Sequence, residues 1–465
     1  MKFNANKLWL IAGHAFFIWY FFLCWQMRES RFLLTDNAYY LFQIVNSKWF
    51  CIQHGRIASV ITQTLPLIAV WCGATLKTVL SVYSVSFALC YYLAFLICVY
   101  KLKNLQSGIG ICLMLTLGVY HSFYWPVSEL QQGLIWCFIC FAWLQQNSTP
   151  LTRRKQLVFC LLFSAASLFH PMMFFAVGFL LLIKWSELKY EKSFFTPALV
   201  IMGVLFIRTF VLTDDYEKSL RQPFQSLSYS LRHLFNLKSF DDFLHILKHD
   251  LIRIEIVALL LIALFIYKKQ FSKFILTFLS VVGFCVLILV SLPSGESMFA
   301  FESYLLPATF FIIIAFITTG KNIFEKGLPV FGFLVLMIWS FNQITYINWY
   351  YKQRATLIKN ICAVATNKNE TYQLNSLSHI QDKMYFMWAL PAETMIASSM
   401  NGNKQTVSVL YSDSLLTKTL NRVFIAQNQK PILISSLNKK YFNLKAGNYF
   451  PLPVEWSNDS LITLP

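Results

Sequence analysis

Apolar runs broken by short basic connections fill the first three quarters of the chain, and a polar, mixed pattern takes over near residue 350. A bilayer core about 30 Å thick asks for about 20 apolar residues in a helix. The pattern predicts such helices near 8–25, 79–100, 108–121, 128–145, 157–169, 171–185, 195–212, 252–267, 273–292, 303–319 and 328–345. After residue 349 the stretches TVSVLYS and PILISS alternate like strands, with turn signals at Asn401-Gly402 and Gly447-Asn448. The expected fold is an all-α polytopic membrane domain over 1–349, with about 11 transmembrane helices, followed by a small extracytoplasmic α/β domain over 350–465.

Lys and Arg order these helices across the membrane, because loops retained in the cytoplasm carry the excess of both. With the N-terminus inside, the inner connections hold Lys101 and Lys103, Arg153 to Lys155, Lys268 and Lys269, and Lys321. The short connections around 121–127, 170 and 293–301 hold none. This assignment requires residues 57–73, IASVITQTLPLIAVWCG, not to span. Thr62, Gln63, Thr64 and a central Pro66 make that segment an amphipathic helix lying in the outer interface. Two long outer loops follow, 26–78 and 213–251, the second with apolar residues at helical spacing.

Composition agrees with a membrane protein: 57% of residues are hydrophobic and 13% charged, against about 25% charged in soluble domains. The net charge of +18 sits in clusters between apolar runs and not along one polar face, which argues against nucleic acid as a partner. Most of the 11 Cys lie in apolar segments as small hydrophobes, and Cys137 and Cys140 have no matching pair for a zinc site. The N-terminus lacks a signal-peptide cleavage pattern, so the first helix is expected to stay as an uncleaved span.

Polar groups at membrane depth or at the lip of a bundle are costly and invite a functional question. Six acids and bases gather on the outer side in this reading, and each also has a bland explanation. Asp36, in LLTDNAYY, could cap the helix that begins beside it. Glu129, in YWPVSEL, could be a solvated acid at a helix start. His170 precedes Pro171 as a turn residue would, and Arg208 could snorkel to headgroups or meet a phosphate. Glu296 and Glu302 flank a short loop in GESMFAFESYLLP. No HExxH, P-loop, GxSxG or dinucleotide fingerprint is present. No metal ligand set is evident, and cofactors, including a divalent metal, stay undetermined.

Three elements carry a resemblance: TDNAYY after the first helix, RIASVITQTLPLIAVWCGATLKTVLSVYS leading into the second, and ESYLLPATFF opening a late one. Together with the layout of residues 1–345, they resemble the GT-C superfamily of membrane glycosyltransferases, such as protein O-mannosyltransferases and the aminoarabinose transferases of lipid A. Asn37 stands where the family frequently has the Glu of an Asp-Glu pair, and Ser303 stands where it has Arg before Tyr304. The resemblance implies a plasma (inner) membrane enzyme that moves a sugar from a polyprenyl-phosphate-type donor to an extracytoplasmic lipid, glycan or protein acceptor. It makes Asp36 the general base, with Arg56 and Arg208 as partners of the phosphate and Glu129, His170, Glu296, Glu302 and Tyr304 as further binding residues. The alternatives are a transporter or flippase of a lipid-linked saccharide, and a polysaccharide polymerase or ligase.

Overall fold

The computed structural model describes residues 5–147, 150–188, 192–219, 227–324, 328–368, 372–374, 387–400, 406–411, 422–424 and 431–444. Nineteen helices are found among them. The N-terminal part holds α1 (Ala5–Gln26), α2 (Arg28–Phe32), α3 (Thr35–Ser47), α4 (Val60–Trp71), α5 (Leu76–Leu96), α6 (Leu105–Leu117) and α7 (Glu129–Gln146). The middle holds α8 (Arg153–Ser164), α9 (Met173–Leu188), α10 (Lys192–Phe206), α11 (Asp215–Ser219), α12 (Leu227–Arg232), α13 (Lys238–His249) and α14 (Ile252–Tyr267). Then come α15 (Phe271–Ser291), α16 (Met298–Thr319), α17 (Lys321–Phe324), α18 (Leu328–Lys368) and α19 (Leu390–Ser399).

Among the described residues, six helices are long and apolar enough to cross a membrane: Ala5–Gln26, Leu76–Lys101, Lys192–Val211, Phe271–Ser291, Met298–Thr319 and Pro329–Ala363. The protein is therefore a predominantly helical, polytopic membrane protein. The other five expected intervals are helical too, but shorter or less apolar. The reason is plainest in α6. Its 13 residues rise about 20 Å, short of a bilayer core, and Ser107 through Leu117 are all buried inside the protein. Apolar sequence marks burial from water, and a protein interior provides that as well as lipid does.

The bundle is organised around α16, which is buried on nearly every side and packs against α6, α7, α9, α14 and α15. Close approach is set by small residues. A Cβ at Gly110 would strike Phe138, and one at Gly133 would strike Met173. Helix α1 buries Trp9, Phe16, Tyr20 and Leu23 on one side and exposes Ile11, Ile18, Phe22 and Trp25 on the other. Apolar on every face, it suits a lipid surround.

Helix α4 buries two polar residues along with Leu67 and Val70. Thr62 and Gln63 face inward, where the Thr62 hydroxyl donates to Ser59 and Gln132, and Gln63 exchanges hydrogen bonds with the Cys51 backbone. Ile57 just before it, and Ile61, Leu65, Ile68 and Trp71 within it, form an exposed apolar strip.

The expected boundary at residue 349 falls inside α18. Beyond it, the described residues form α19 and two small sheets. The parallel pair is β1 (Tyr372–Leu374) with β2 (Val409–Tyr411), and the antiparallel pair is β3 (Arg422–Phe424) with β4 (Pro431–Leu433). The turns expected at Asn401-Gly402 and Gly447-Asn448 lie outside the described residues. The C-terminal segments pack back onto the 26–78 loop. Helix α19 lies on α3, Asn438 donates to the carbonyl of Val45, and the Tyr441 hydroxyl donates to that of Ala74.

Candidate functional site

The site is assembled from the turn before α3, the 50–56 loop, the 120–129 connection and the 208–217 segment. Its anchor is Arg31, 1% exposed and without an acidic partner among the described residues. Arg31 donates to the carbonyls of Phe123 and Ser84 at 2.9 and 2.8 Å, and its guanidinium lies over the Phe123 ring. Asn37 locks the same region by donating through Nδ2 to the carbonyls of Arg31 and Tyr124, at 2.6 and 2.7 Å.

The 120–129 connection is gripped from its other side by Glu302. This carboxylate, 1% exposed, accepts from the amides of Tyr120, His121 and Ser122 and from the Ser122 hydroxyl. Glu302 thus secures the connection and does not line the cavity. Glu296 is exposed between α15 and α16 and does not line it either. Glu302→Gln is expected to cost about 2–4 kcal/mol, because its NH2 group would face backbone donors. Thermal unfolding of the purified variant would reveal the loss, and an unchanged midpoint would contradict it.

Held in this way, the connection presents Trp125, Val127, Ser128 and Glu129 to a cavity of about 390 Å³. Of the residues singled out from sequence, Asp36, Arg56, Glu129, His170 and Tyr304 line that cavity. Apolar Phe175, Phe210, Leu287, Ile288 and Leu292 line it as well.

The charges pair off in a chain. Glu129 accepts from the Tyr40 hydroxyl and from Arg56, both at 3.0 Å. Arg56 also approaches Glu217 at 3.9 Å. Arg208, just outside the cavity lining, grips Glu217 through two nitrogens at 3.0 and 3.2 Å and donates to the carbonyl of His54. Arg208 sits in a π-turn, Ile207–Val211, a feature frequent at functional sites. His54 takes a left-handed backbone, φ 53°, and its Nδ1 donates to Asp214. The four residues Glu217, His54, Asp214 and Trp125 were missed from sequence. The acidic cluster Asp214-Asp215-x-Glu217, a few residues after Arg208, was the available signal for two of them.

Asp36 is the exception to this pairing. Its Oδ2 accepts from the Trp125 indole at 3.0 Å, and no Lys, Arg or His lies within ion-pair distance of it among the described residues. It is not the cap of α3: the capping position is Leu34, and no side chain caps there. Asp36 and Tyr40 share a face through their four-residue spacing. Burial, then the nearby Glu129 charge, push the Asp36 carboxyl up to about 6, against the Trp125 hydrogen bond and Arg56.

No protein-family model, no curated protein and no solved structure matches this chain. The site's chemistry is therefore argued from its own geometry. His170 accepts the Met172 amide on Nδ1 at 3.2 Å. Burial, with Arg56, Arg208 and His54 nearby, pushes its pKa well below the usual histidine value. A neutral His170 with Nδ1 occupied carries its proton on Nε2, as a donor. No three His, Cys, Asp or Glu side chains converge as a metal site requires among the described residues. What the polar part of the lining offers is one carboxylate outside any ion pair, with a raised pKa, beside a near-neutral network of arginines and glutamates.

Proposed function

We propose that this protein is an integral-membrane glycosyltransferase of GT-C type, moving a sugar from a polyprenyl-phosphate donor to an acceptor outside the cytoplasm, with Asp36 as the general base. The observation that carries this reading is Asp36, an acid with no cationic partner among the described residues, on the wall of a cavity lined by both polar and apolar side chains. A lipid-linked sugar presents both kinds of surface. In the inverting transfer, the acceptor oxygen attacks the anomeric carbon as its proton passes to Asp36. The bond from that carbon to phosphate oxygen breaks, and the phosphate leaves with the electron pair. A carboxyl near pKa 6 is a better proton acceptor than an ordinary aspartate and is still largely ionised at neutral pH.

The leaving phosphate would draw on Arg56, whose Nε has no acceptor among the described residues, and on the Nε2 donor of His170. Arg208 acts at one remove, by fixing Glu217 and the His54 carbonyl.

In this reading the chain spans the plasma membrane eleven times, with the N-terminus cytoplasmic and the cavity and C-terminal segments outside. The placement of Lys and Arg supports that orientation; six of the helices over these intervals are long and apolar enough to span, and the reading counts the five shorter or less apolar ones as spans too. The exposed apolar strip of α4 suits a helix lying in the outer interface.

The decisive experiment measures release of polyprenyl phosphate from a polyprenyl-phosphate sugar by purified protein, wild type against Asp36→Asn. Loss of transfer with intact folding supports the reading. A variant that still transfers sugar, or that only moves the lipid across a bilayer, defeats it.

A further inference from the structure

The residue just before Asp36 is strained. Thr35 has φ 35°, and a β-branched side chain in the left-handed region is a genuine outlier. Such strain persists only where the surroundings enforce it. The enforcing contact comes from the far end of the chain. The Thr35 amide donates to Oε1 of Glu393 at 2.6 Å, and Arg354 donates to the same oxygen at 2.7 Å. All three residues are buried, with Glu393 at 0% exposure, Arg354 at 3% and Thr35 at 1%. Trp388, just before α19, makes an edge contact with Tyr39 at 5.8 Å, a second hold by the same segment on α3.

Thr35 begins α3, so the direction of its amide sets the first turn and the direction in which Asp36 leaves the backbone. We propose that Glu393, oriented by Arg354, is a positioning residue that keeps Asp36 against Trp125, so that the C-terminal segment completes the site in cis. This inference rests on Asp36 being the working carboxylate. The charged and titratable groups around Asp36 are Glu129 on α7, Arg56 and Cys51 from the 50–56 loop, Tyr39 and Tyr40 on α3, and the Glu393–Arg354 pair behind the first turn, from α19 and α18.

The test follows the protonation of Asp36 in purified full-length protein, by its carboxyl infrared band assigned by difference against Asp36→Asn. Exchanging the buried ion pair for apolar groups, Arg354→Met with Glu393→Leu, retains packing but removes the acceptor for Thr35. With the first turn relaxed and Asp36 better hydrated, its half-protonation pH is expected to fall by one pH unit or more, toward the ordinary aspartate value. Adding Thr35→Gly to that double variant is expected to restore the wild-type value, because glycine adopts a positive φ without strain. Glu393→Gln keeps an oxygen for the Thr35 amide and is expected to titrate as wild type does.

A merely structural Glu393 would lower the unfolding temperature without moving the Asp36 titration, and Thr35→Gly would rescue nothing. An unmoved titration in the double variant overturns the inference. So does a failure of Thr35→Gly to restore it, or a fall with Gln as large as with Leu. None of these readings uses a sugar substrate, so a failure of the transferase assignment would be seen separately.

Discussion

Asp36→Asn is expected to lower sugar transfer by about 10²–10⁴-fold, the usual contribution of a positioned base, while making the protein more resistant to heat above about pH 6. The two effects share one cause. The amide oxygen can still accept from Trp125, but it cannot take a proton, and it removes a charge that the fold desolvates. For the sign, the folded carboxyl lies near 6, above its ordinary 3.8, so the folded state binds the proton more tightly. Below about pH 4 both states are protonated and the variant should match wild type. The penalty of the ionised wild-type group then grows through pH 4–6 and is complete above. At 1.36 kcal/mol per pH unit, the difference between 6 and 3.8 sets a ceiling of about 3 kcal/mol, and the partial hydration of Asp36 reduces it. Paired unfolding curves at pH 4 and pH 8, alongside transfer assays, check both halves. A variant that is less stable at pH 8 and fully active would make Asp36 a structural residue.

Asn37→Asp is expected to prevent the folded protein from accumulating, although it would create an acidic pair with Asp36. Asn37 is fully buried, and its role is that of a donor to two carbonyls. A carboxylate at neutral pH has no proton to donate. Each carbonyl left unpaired costs about 1–3 kcal/mol, and the new buried charge costs more. Together these exceed about 4 kcal/mol, a large share of the stability of an ordinary domain. The damage would spread, since the two carbonyls belong to Arg31 and Tyr124, which anchor the 120–129 connection. Detergent-solubilised yield and unfolding temperature are the readouts. A variant within about 1 kcal/mol of wild type would show that Asn37 is dispensable there.

The helices were legible because their cause is local: apolar runs between polar connections. Their number across the membrane was less legible. A run such as 108–121 is as apolar as a lipid-facing one, yet α6 is sheathed by protein. Among the acids, sequence position alone treated Asp36, Glu129 and Glu302 alike. The tertiary structure separated them by partner: an indole for Asp36, Arg56 and Tyr40 for Glu129, three backbone amides for Glu302.

The sequence by itself determined that the chain enters a membrane as helices. That follows from hydrophobicity, which acts between near neighbours along an apolar run. Only the tertiary structure decided which charges are neutralised, which carboxylate is left with a raised pKa, and that Glu393 reaches back to Thr35 across the chain. Those outcomes depend on burial and on distances of a few ångströms between residues as far apart in the chain as Thr35 and Glu393, which no local pattern encodes.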